Sequence, residues 1–344
     1  MIPSKRLPYV PIIDRPPLKP PAGVRLIVWP VVNVEVWDIK RPMPRQVLPP
    51  PTHITRLPDF AHWAWHEYGN RVGFWRIKEI LDDLDIKASL FTNGRICVDY
   101  ARIAEESLKA GWEFVGHSWD QQPTHIEKDQ RAMIQRTVKQ IKSFTGKAPV
   151  GWLAPGLTET LFTPDYLAEA GIKYIADWVV DDEPCEIKTA HGNVVSMPYT
   201  LELNDIAMMM VQHNVASEFE SRCMDQFERL YEEGKDRVKV MCIAVHPYIS
   251  GVPHRIKYFE NVFRRLRDQP GVVFWTGEQI LNWYQRSARK PAVRRSRAGT
   301  DKWNSSRRRP SASRRPQGFR RQSRPGVCPQ AQGHPEQPRE PPED

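Results

Sequence analysis

The chain has 344 residues, and 40% of them are hydrophobic, which is enough for a core in one large domain or two ordinary ones. Its formal net charge of +9 is concentrated at the carboxyl end, where residues 286–344 hold 16 Lys and Arg against 5 Asp and Glu. Residues 1–285 hold 34 basic against 36 acidic side chains, a net charge of −2. This balance argues against nucleic acid as a partner of the globular part.

The five cysteines are scattered and form no CxxC pair, which indicates reduced thiols and no disulfide framework. The amino-terminal segment is interrupted by prolines where an export signal needs an unbroken apolar run, and no window is long enough to span a membrane. These features predict a cytoplasmic protein with a small-molecule substrate and no membrane partner. Whether it forms a homo-oligomer stays open.

In chain order, residues 1–24 predict an extended, Pro-rich arm. Residues 25–37 (RLIVWPVVNVEVW) read as the first buried strand. Residues 40–70 have no period and predict a long loop. Strands and helices then alternate as a parallel sheet requires. They are predicted at helix 72–84, strand 87–93, helix 98–110, strand 113–117, helix 127–145, strand 150–155, helix 163–170, strands 173–177 and 194–199, helix 216–233, strand 239–248, helix 256–268, strand 272–276 and helix 277–286.

About seven βα units within residues 25–286 predict an α/β fold in the form of a distorted barrel. A doubly wound open sheet is the alternative. From residue 287 to residue 344 the chain changes to Arg, Pro, Ser and Gln. That composition predicts a disordered basic tail, because it cannot bury enough apolar surface to offset the entropy of ordering.

Polar side chains follow the ends of the predicted strands, where βα barrels gather their reactive groups. Glu35 is notable because an acid in a strand of Val and Trp is costly unless it is paired or employed. The residues at the strand ends are Asn33, Glu35, His117, Pro155, Asp177, Asp181, Asp182 and His246.

The order and spacing of these residues resemble the polysaccharide deacetylase, or NodB-homology, family over residues 25–286. The counterparts of its five motifs are NVE at 33–35, HSWDQ at 117–121, LAPG at 153–156, DW at 177–178 with DD at 181–182, and VHP at 245–247. The resemblance implies a NodB-like barrel that hydrolyses its substrate.

Three positions depart from the family pattern, in which one Asp is the general base and a second Asp binds a divalent metal with two histidines. The base position is Asn33, which cannot accept a proton. The second metal histidine is Gln121, a poor ligand for zinc. The arginine that orients the base in the family is Leu153 here.

The resemblance therefore implies either no required cofactor or a weakly held divalent metal such as zinc. The metal would be bound by Glu35 and His117, with Asp120 or His125 as a further ligand. The same departures resemble the allantoinase-like branch, whose members open a cyclic ureide without a metal. The fragments that carry this similarity are VGFW at 72–75, AGWE at 110–113, DDEP at 181–184 and PYTLELND at 198–205.

Acid–base chemistry at neutral pH favours Glu35 or His117 for activating water and His246 for protonating the departing nitrogen. Asp181 is a further catalytic candidate, and main-chain N–H groups near residues 155–157 are candidates for binding the oxyanion. The expected substrate-binding residues are Asn33, Trp119, Gln121, Pro155, Trp178 and Tyr199.

Structural roles stay open for several of these residues: a turn cap for His117, burial for His246, a solvated turn for Asp181 and packing for Trp119. The leading hypothesis is a hydrolase of non-peptide carbon–nitrogen bonds in a small amide, cyclic amide or ureide. One alternative is a metal-dependent N-deacetylase of polysaccharides or chitooligosaccharides. Another, of a different class, is a non-catalytic barrel that binds a carbohydrate or a protein partner.

Overall fold

A computed structural model describes residues 1–18, 20–45, 47–48 and 57–288. A sheet of nine strands organises this part of the chain, in the order β6-β7-β5-β4-β3-β2-β1-β8, with β9 paired to the first half of β1. The strands are β1 Leu26–Val34, β2 Ser89–Thr92, β3 Glu113–Gly116, β4 Gly151–Trp152, β5 Tyr174–Ile175, β6 Cys185–Ile187, β7 Val194–Ser196, β8 Lys239–Val245 and β9 Val272–Phe274.

The sheet is parallel except for the β6–β7 pair. Its two ends approach each other, because Val240 on β8 donates to the carbonyl of Asp182 and Ala244 forms an isolated parallel bridge with Asn204. The α/β class and the curled, NodB-like sheet are confirmed, whereas the count of about seven units is not.

Helices connect most of the parallel strands, as the alternating pattern predicts. They are α1 Pro3–Arg6, α2 Phe60–Tyr68, α3 Phe74–Asp83, α4 Ile96–Asp99, α5 Ala101–Lys109, α6 Gln130–Thr145, α7 Thr163–Glu169, α8 Glu218–Glu233, α9 Pro247–Ser250, α10 Ile256–Arg267 and α11 Gly277–Ala288. Two π-helical turns, Gly69–Gly73 and Ile206–Val211, complete the set. None of the helices in the described ranges is long and apolar enough to cross a membrane.

Helix α2 corrects the prediction of an unbroken loop over residues 40–70. It begins after Asp59, whose carboxylate accepts the N–H of His62. The buried positions of α2 are His62, His66 and Glu67. A helix that buries polar side chains shows no hydrophobic period, so the pattern of the sequence does not reveal it.

Strand β1 sends alternate side chains to two different cores. Leu26, Val28, Val32 and Val34 pack in the cluster that includes α3, α8 and α10, while Ile27, Trp29 and Val31 pack in the cluster that includes Tyr174 and Tyr199. Asn33 and Glu35 continue the second series, with period two. The pleat of β1 therefore directs both polar side chains toward the barrel interior.

The amino-terminal arm lies against the barrel and is not wholly extended, since it contains α1 and a 3₁₀ turn at Ile12–Asp14. Arg6 is 1% exposed and donates to both carboxylate oxygens of Asp165. Arg237 donates to main-chain carbonyls of the arm at Ile12 and Arg15. Apart from residues 287 and 288, the predicted tail lies outside the described residues.

Candidate active site

Three predicted acid–base residues meet at the carboxyl ends of β1, β3 and β8. Glu35 Oε1 lies 3.7 Å from Nε2 of His117 and 3.5 Å from Nε2 of His246. All three side chains are buried. Parallel strands end at the same edge of a sheet, and this geometry brings together residues that are far apart in sequence.

The His117 ring is held in one tautomer by the main chain. Its Nδ1 lies 2.7 Å from the carbonyl oxygen of Leu153, which can only accept. Nδ1 therefore carries the hydrogen of the neutral ring. The lone pair of Nε2 faces Glu35 and Gln121.

The Gln121 amide is oriented by a chain of hydrogen bonds. The N–H of Val36 donates to Asn93 Oδ1 at 2.7 Å, so Asn93 Nδ2 is the group that donates to Gln121 Oε1 at 3.1 Å. Gln121 Nε2 is thereby directed at Glu35 Oε1, at 2.9 Å, and at His117 Nε2, at 3.2 Å. Asn93 is a site residue that sequence reasoning missed.

His246 lies between two carboxylates. Its Nδ1 is 2.7 Å from Asp205 Oδ1, and Asp205 Oδ2 accepts from the His246 main-chain N–H and from the Ser250 hydroxyl, each at 2.7 Å. Burial by itself lowers the pKa of His246, but the charge and hydrogen bond of Asp205, together with Glu35, raise it to about 9. His246 is therefore a charged imidazolium at neutral pH.

Asp205 was also missed as a site residue. It is the last residue of the fragment PYTLELND, so the sequence contained a signal without indicating its role. Its side chain is fully buried. A buried carboxylate needs a charged or hydrogen-bonding partner, and His246 and Ser250 are these partners.

Glu35 is an anion stabilised by several donors. Trp37 Nε1 donates to Oε2 at 3.1 Å, and Gln121 Nε2 donates to Oε1. Burial by itself raises the pKa of Glu35, yet His117 and His246 together outweigh burial and hold the pKa well below its usual range. Glu35 is consequently a weak base.

These residues do not fit a catalytic zinc. Such a site normally offers three protein ligands and an open position. Here the third ligand position is the Gln121 amide nitrogen, a donor that faces the two groups that would bind the metal. In the part of the chain that the structure describes, no three His, Cys, Asp or Glu side chains are arranged to hold a metal ion.

The two further ligands suggested by sequence are directed elsewhere. Asp120 Oδ1 pairs with Arg41 at 3.2 Å, and Asp120 Oδ2 lies 4.0 Å from Arg95. His125 is exposed in a 3₁₀ turn at Thr124–Ile126. Neither side chain completes a set with Glu35 and His117.

Asn33 and Tyr199 lie beside the acid–base cluster. Asn33 Nδ2 donates to the carbonyl of Val245 at 3.3 Å and to the Tyr199 hydroxyl at 3.4 Å. Asn33 Oδ1 is buried and has no hydrogen-bond partner within the described ranges. This oxygen is an acceptor able to bind a substrate N–H group.

Other predicted site residues are held by structural contacts. Asp181 pairs with Arg15 of the amino-terminal arm at 2.7 Å and accepts from the N–H of Glu183, and these contacts do not join it to Glu35. Trp119 packs beneath the Arg136 guanidinium, which lies 3.5 Å from the ring centroid. These contacts favour the structural alternatives for Asp181 and Trp119.

Trp178 and Pro155 lie in the neighbouring loops. Trp178 Nε1 donates to Glu159 Oε2 at 2.8 Å, and the buried Pro155 begins a 3₁₀ turn, Pro155–Leu157, in which Gly156 is exposed. Proline has no N–H, and the N–H of Leu157 is bonded to the carbonyl of Ala154. Within the turn, the N–H of Gly156 is the remaining candidate for the oxyanion.

Asp177, two residues after β5, is a buried carboxyl group that forms no ion pair among the described residues. Its Oδ1 accepts the N–H of Ala154 at 2.7 Å, and its Oδ2 is buried without a partner among the described residues. Burial and the nearby Glu159 raise the pKa of Asp177 well above its usual range, which favours its protonated form.

Comparisons with known protein sequences give matches to polysaccharide deacetylases. Residues 66–175 match the family model for polysaccharide deacetylase. A Schizosaccharomyces pombe protein described as a candidate polysaccharide deacetylase is 26% identical over 246 residues, which cover 65% of this chain and 76% of that protein. A peptidoglycan deacetylase of Helicobacter pylori is 22% identical over 258 residues, which cover 65% of this chain and 87% of that protein.

Two solved structures share the fold. A probable polysaccharide deacetylase from Pseudomonas aeruginosa PAO1 superposes with a TM-score of 0.72 and 23% identity, covering 79% of this chain and 95% of its own. Puue allantoinase superposes with a TM-score of 0.73 and 22% identity, covering 81% of this chain and 96% of its own. At these identities the likeness establishes the fold alone.

The fold, the motif positions and the family match define the class of protein: an enzyme that hydrolyses carbon–nitrogen bonds on a NodB-like barrel. The match over residues 66–175, the curated relatives and the shared fold are consistent with a NodB-like family, as the motifs indicated.

Proposed function

We propose that this enzyme hydrolyses a carbon–nitrogen bond in a small ureide, cyclic amide or amide without requiring a metal. One observation carries the proposal: the Gln121 amide nitrogen occupies the third ligand position and donates to Glu35 while contacting His117. The fold is common to a deacetylase and an allantoinase, so the side chains of the site must decide between substrates.

Water activation is assigned to His117, with Glu35 in support. With the hydrogen of the neutral tautomer on Nδ1, the His117 ring presents the lone pair of Nε2, whereas the lowered pKa of Glu35 makes its carboxylate the weaker base. His117 Nε2 removes a proton as the water oxygen attacks the substrate carbonyl. The Glu35 anion, 3.7 Å from Nε2, stabilises the imidazolium that forms.

Leaving-group protonation is assigned to His246. Asp205 holds Nδ1, which leaves the Nε2–H of the imidazolium on the side of Glu35. His246 Nε2 gives its proton to the departing nitrogen as the carbon–nitrogen bond breaks. In this pair Asp205 orients the ring, and His246 acts as the acid.

The proposed substrate class follows from the poor fit of these side chains to a catalytic metal. Without a metal to polarise the carbonyl and acidify water, a ureide or strained ring is an easier target than an acetamide. Asn33 Oδ1, placed where the family has a base, accepts a hydrogen bond from a substrate N–H group. Neutral Asn33 can bind and orient a substrate but cannot remove a proton.

A second candidate is supported by the curated relatives, since the S. pombe and H. pylori proteins are both described as deacetylases. In that case the enzyme would remove acetyl groups from an N-acetylated saccharide with a divalent metal. The two candidates predict different products and different responses to a chelator.

The test is a panel of ureides, cyclic amides, amides and N-acetylated chitooligosaccharides, assayed for ring opening and for ammonia or acetate release with and without chelator. We expect ureide or cyclic amide turnover that survives chelation. It should fall at least about a hundredfold in Glu35→Gln and His117→Ala, the scale of acid–base catalysis. Gln121→His, which restores an imidazole, should increase zinc binding in direct titration. Acetate release that needs stoichiometric metal would establish the second candidate instead.

A further inference from the structure

His66 is a buried histidine with one ring nitrogen that lacks a hydrogen-bond partner. It lies on α2, and its Nδ1 is 2.7 Å from the carbonyl oxygen of His62. A carbonyl only accepts, so Nδ1 carries the hydrogen and Nε2 keeps a lone pair. Among the described residues no group donates to that Nε2, although the side chain is only 4% exposed.

His62, one turn earlier on the same helix, provides the contrast. Its Nδ1 lies 2.7 Å from Asp59 Oδ2, and its Nε2 accepts the main-chain N–H of Leu48 at 3.1 Å. The fold therefore satisfies both ring nitrogens of His62 and only one of His66. A buried acceptor without a donor is unfavourable, and an N–H or O–H group of a bound molecule would satisfy it.

The His66 ring lies next to the acid–base cluster. Its centroid is 4.7 Å from that of Trp37 and 4.3 Å from that of Tyr248. Trp37 donates to Glu35, and Tyr248 follows His246 by two residues. Trp37 thus contacts both His66 and Glu35, and Tyr248 contacts both His66 and His246.

One other buried acceptor near the acid–base cluster lacks a partner among the described residues, namely Asn33 Oδ1. Asn33 Oδ1 and His66 Nε2 are both acceptors and cannot satisfy each other. A molecule with several N–H groups would supply both donors. Ureides carry N–H and C=O groups in alternation.

We propose that His66 is a specificity-determining residue, whose Nε2 accepts a hydrogen bond from an N–H group of a ureide or cyclic amide substrate. The inference rests on the proposed function and adds a residue to it. Burial lowers the pKa of His66 to about 4, so the ring is a neutral acceptor at neutral pH.

The test uses His66→Phe, which keeps a ring between Trp37 and Tyr248 and removes the acceptor. With the ureide or cyclic amide that the wild type hydrolyses, we expect KM to rise about tenfold and kcat to change less than about threefold, the pattern of lost ground-state binding. An analogue methylated at the relevant N–H should have about a tenfold higher KM than the parent in the wild type. His66→Phe should treat the two compounds alike, and His66→Gln, which retains an acceptor, should recover part of the discrimination.

Each contrary result has its own meaning. If His66→Phe keeps the wild-type KM and the wild-type discrimination, the inference is wrong and the proposed function stands. A methylated analogue that the wild type handles like its parent also overturns the inference, and that comparison needs no variant. If the wild type neither binds nor hydrolyses any ureide or cyclic amide, the proposed function fails and the inference fails with it.

Discussion

At the scale of the residue, a few hydrogen bonds determine which nitrogen atoms of His117, Gln121 and His246 carry hydrogen in the site. The Leu153 carbonyl fixes the tautomer of His117, and Asn93 fixes the orientation of Gln121. Asp205 maintains His246 as an imidazolium. Because these partners are main-chain or buried groups, the proposed division into base and acid is set before substrate binds.

Asp205→Asn tests this division through the pH profile. The raised pKa of His246, about 9, means that the acid form is present at neutral pH and is lost as the pH rises through about 9. Asparagine lacks the charge that raises this pKa, so the alkaline limb of kcat/KM should move at least one unit toward lower pH. The profile of kcat/KM against pH measures the shift.

Ser250→Ala is the matched control, because it removes another partner of Asp205 and leaves the pair with His246 intact. Its alkaline limb should stay within a few tenths of a unit of the wild type. An unchanged limb in Asp205→Asn would show that His246 is not the acid that the profile reports.

At the scale of the element, close backbone packing positions His246. The π-helical turn Gly69–Gly73 lies against α9, the short helix that directly follows His246. A Cβ on Gly73 would lie 2.1 Å from the carbonyl oxygen of Pro247, which is far inside van der Waals contact. Glycine is therefore required at this position by the approach of two backbones.

Gly73→Ala should displace Pro247 and, with it, the neighbouring His246. We expect a loss of about 1–3 kcal/mol in the free energy of unfolding, the usual cost of overpacking, and a fall in kcat/KM of about tenfold or more. Urea denaturation and steady-state kinetics measure the two effects. Arg71→Ala, at an exposed position of the same turn, should change both only slightly. Wild-type kinetics in Gly73→Ala would contradict the positioning role.

At the scale of the whole molecule, the amino-terminal arm is attached to the barrel by a buried charge. Arg6 donates to Asp165 and to the carbonyls of Leu161 and Lys188. The Arg6 hydrogen bond is the main cause that lowers the pKa of Asp165. The arm is thus joined to α7 and to the loop after β6, and these contacts of Arg6 do not include Glu35, His117 or His246.

Arg6→Ala removes the cation that pairs with Asp165 and the donor of the Leu161 and Lys188 carbonyls, so we expect a loss of about 3–5 kcal/mol in the free energy of unfolding. The pH optimum should not change, because the arm does not contact Glu35, His117 or His246 through this pair. Lys5→Ala, the exposed neighbour on α1, is the control and should stay within about 0.5 kcal/mol of the wild type. A similar small loss for Arg6→Ala would show that the arm contributes little to stability.

The sequence by itself determined the class of fold and the positions of the main acid–base residues. Alternating strand and helix patterns indicated a parallel sheet, and strand ends are recognisable as the places where βα loops begin. Glu35, His117 and His246 could therefore be found one at a time. Asn33, Gln121 and Leu153 differ from the family pattern in residue type, and residue types can be read directly from the sequence.

Only the tertiary structure decided which side chains act together. Asp181 stands at a strand end in sequence yet pairs with Arg15. Asp205 reaches His246 from a segment without a readable period, and Asn93, at the end of a predicted strand, orients Gln121. A hydrogen bond depends on distances of a few tenths of an ångström between residues far apart in the chain. Periodicity and spacing carry local information, whereas proton positions, burial and pKa shifts arise from contacts that exist only once the barrel has closed.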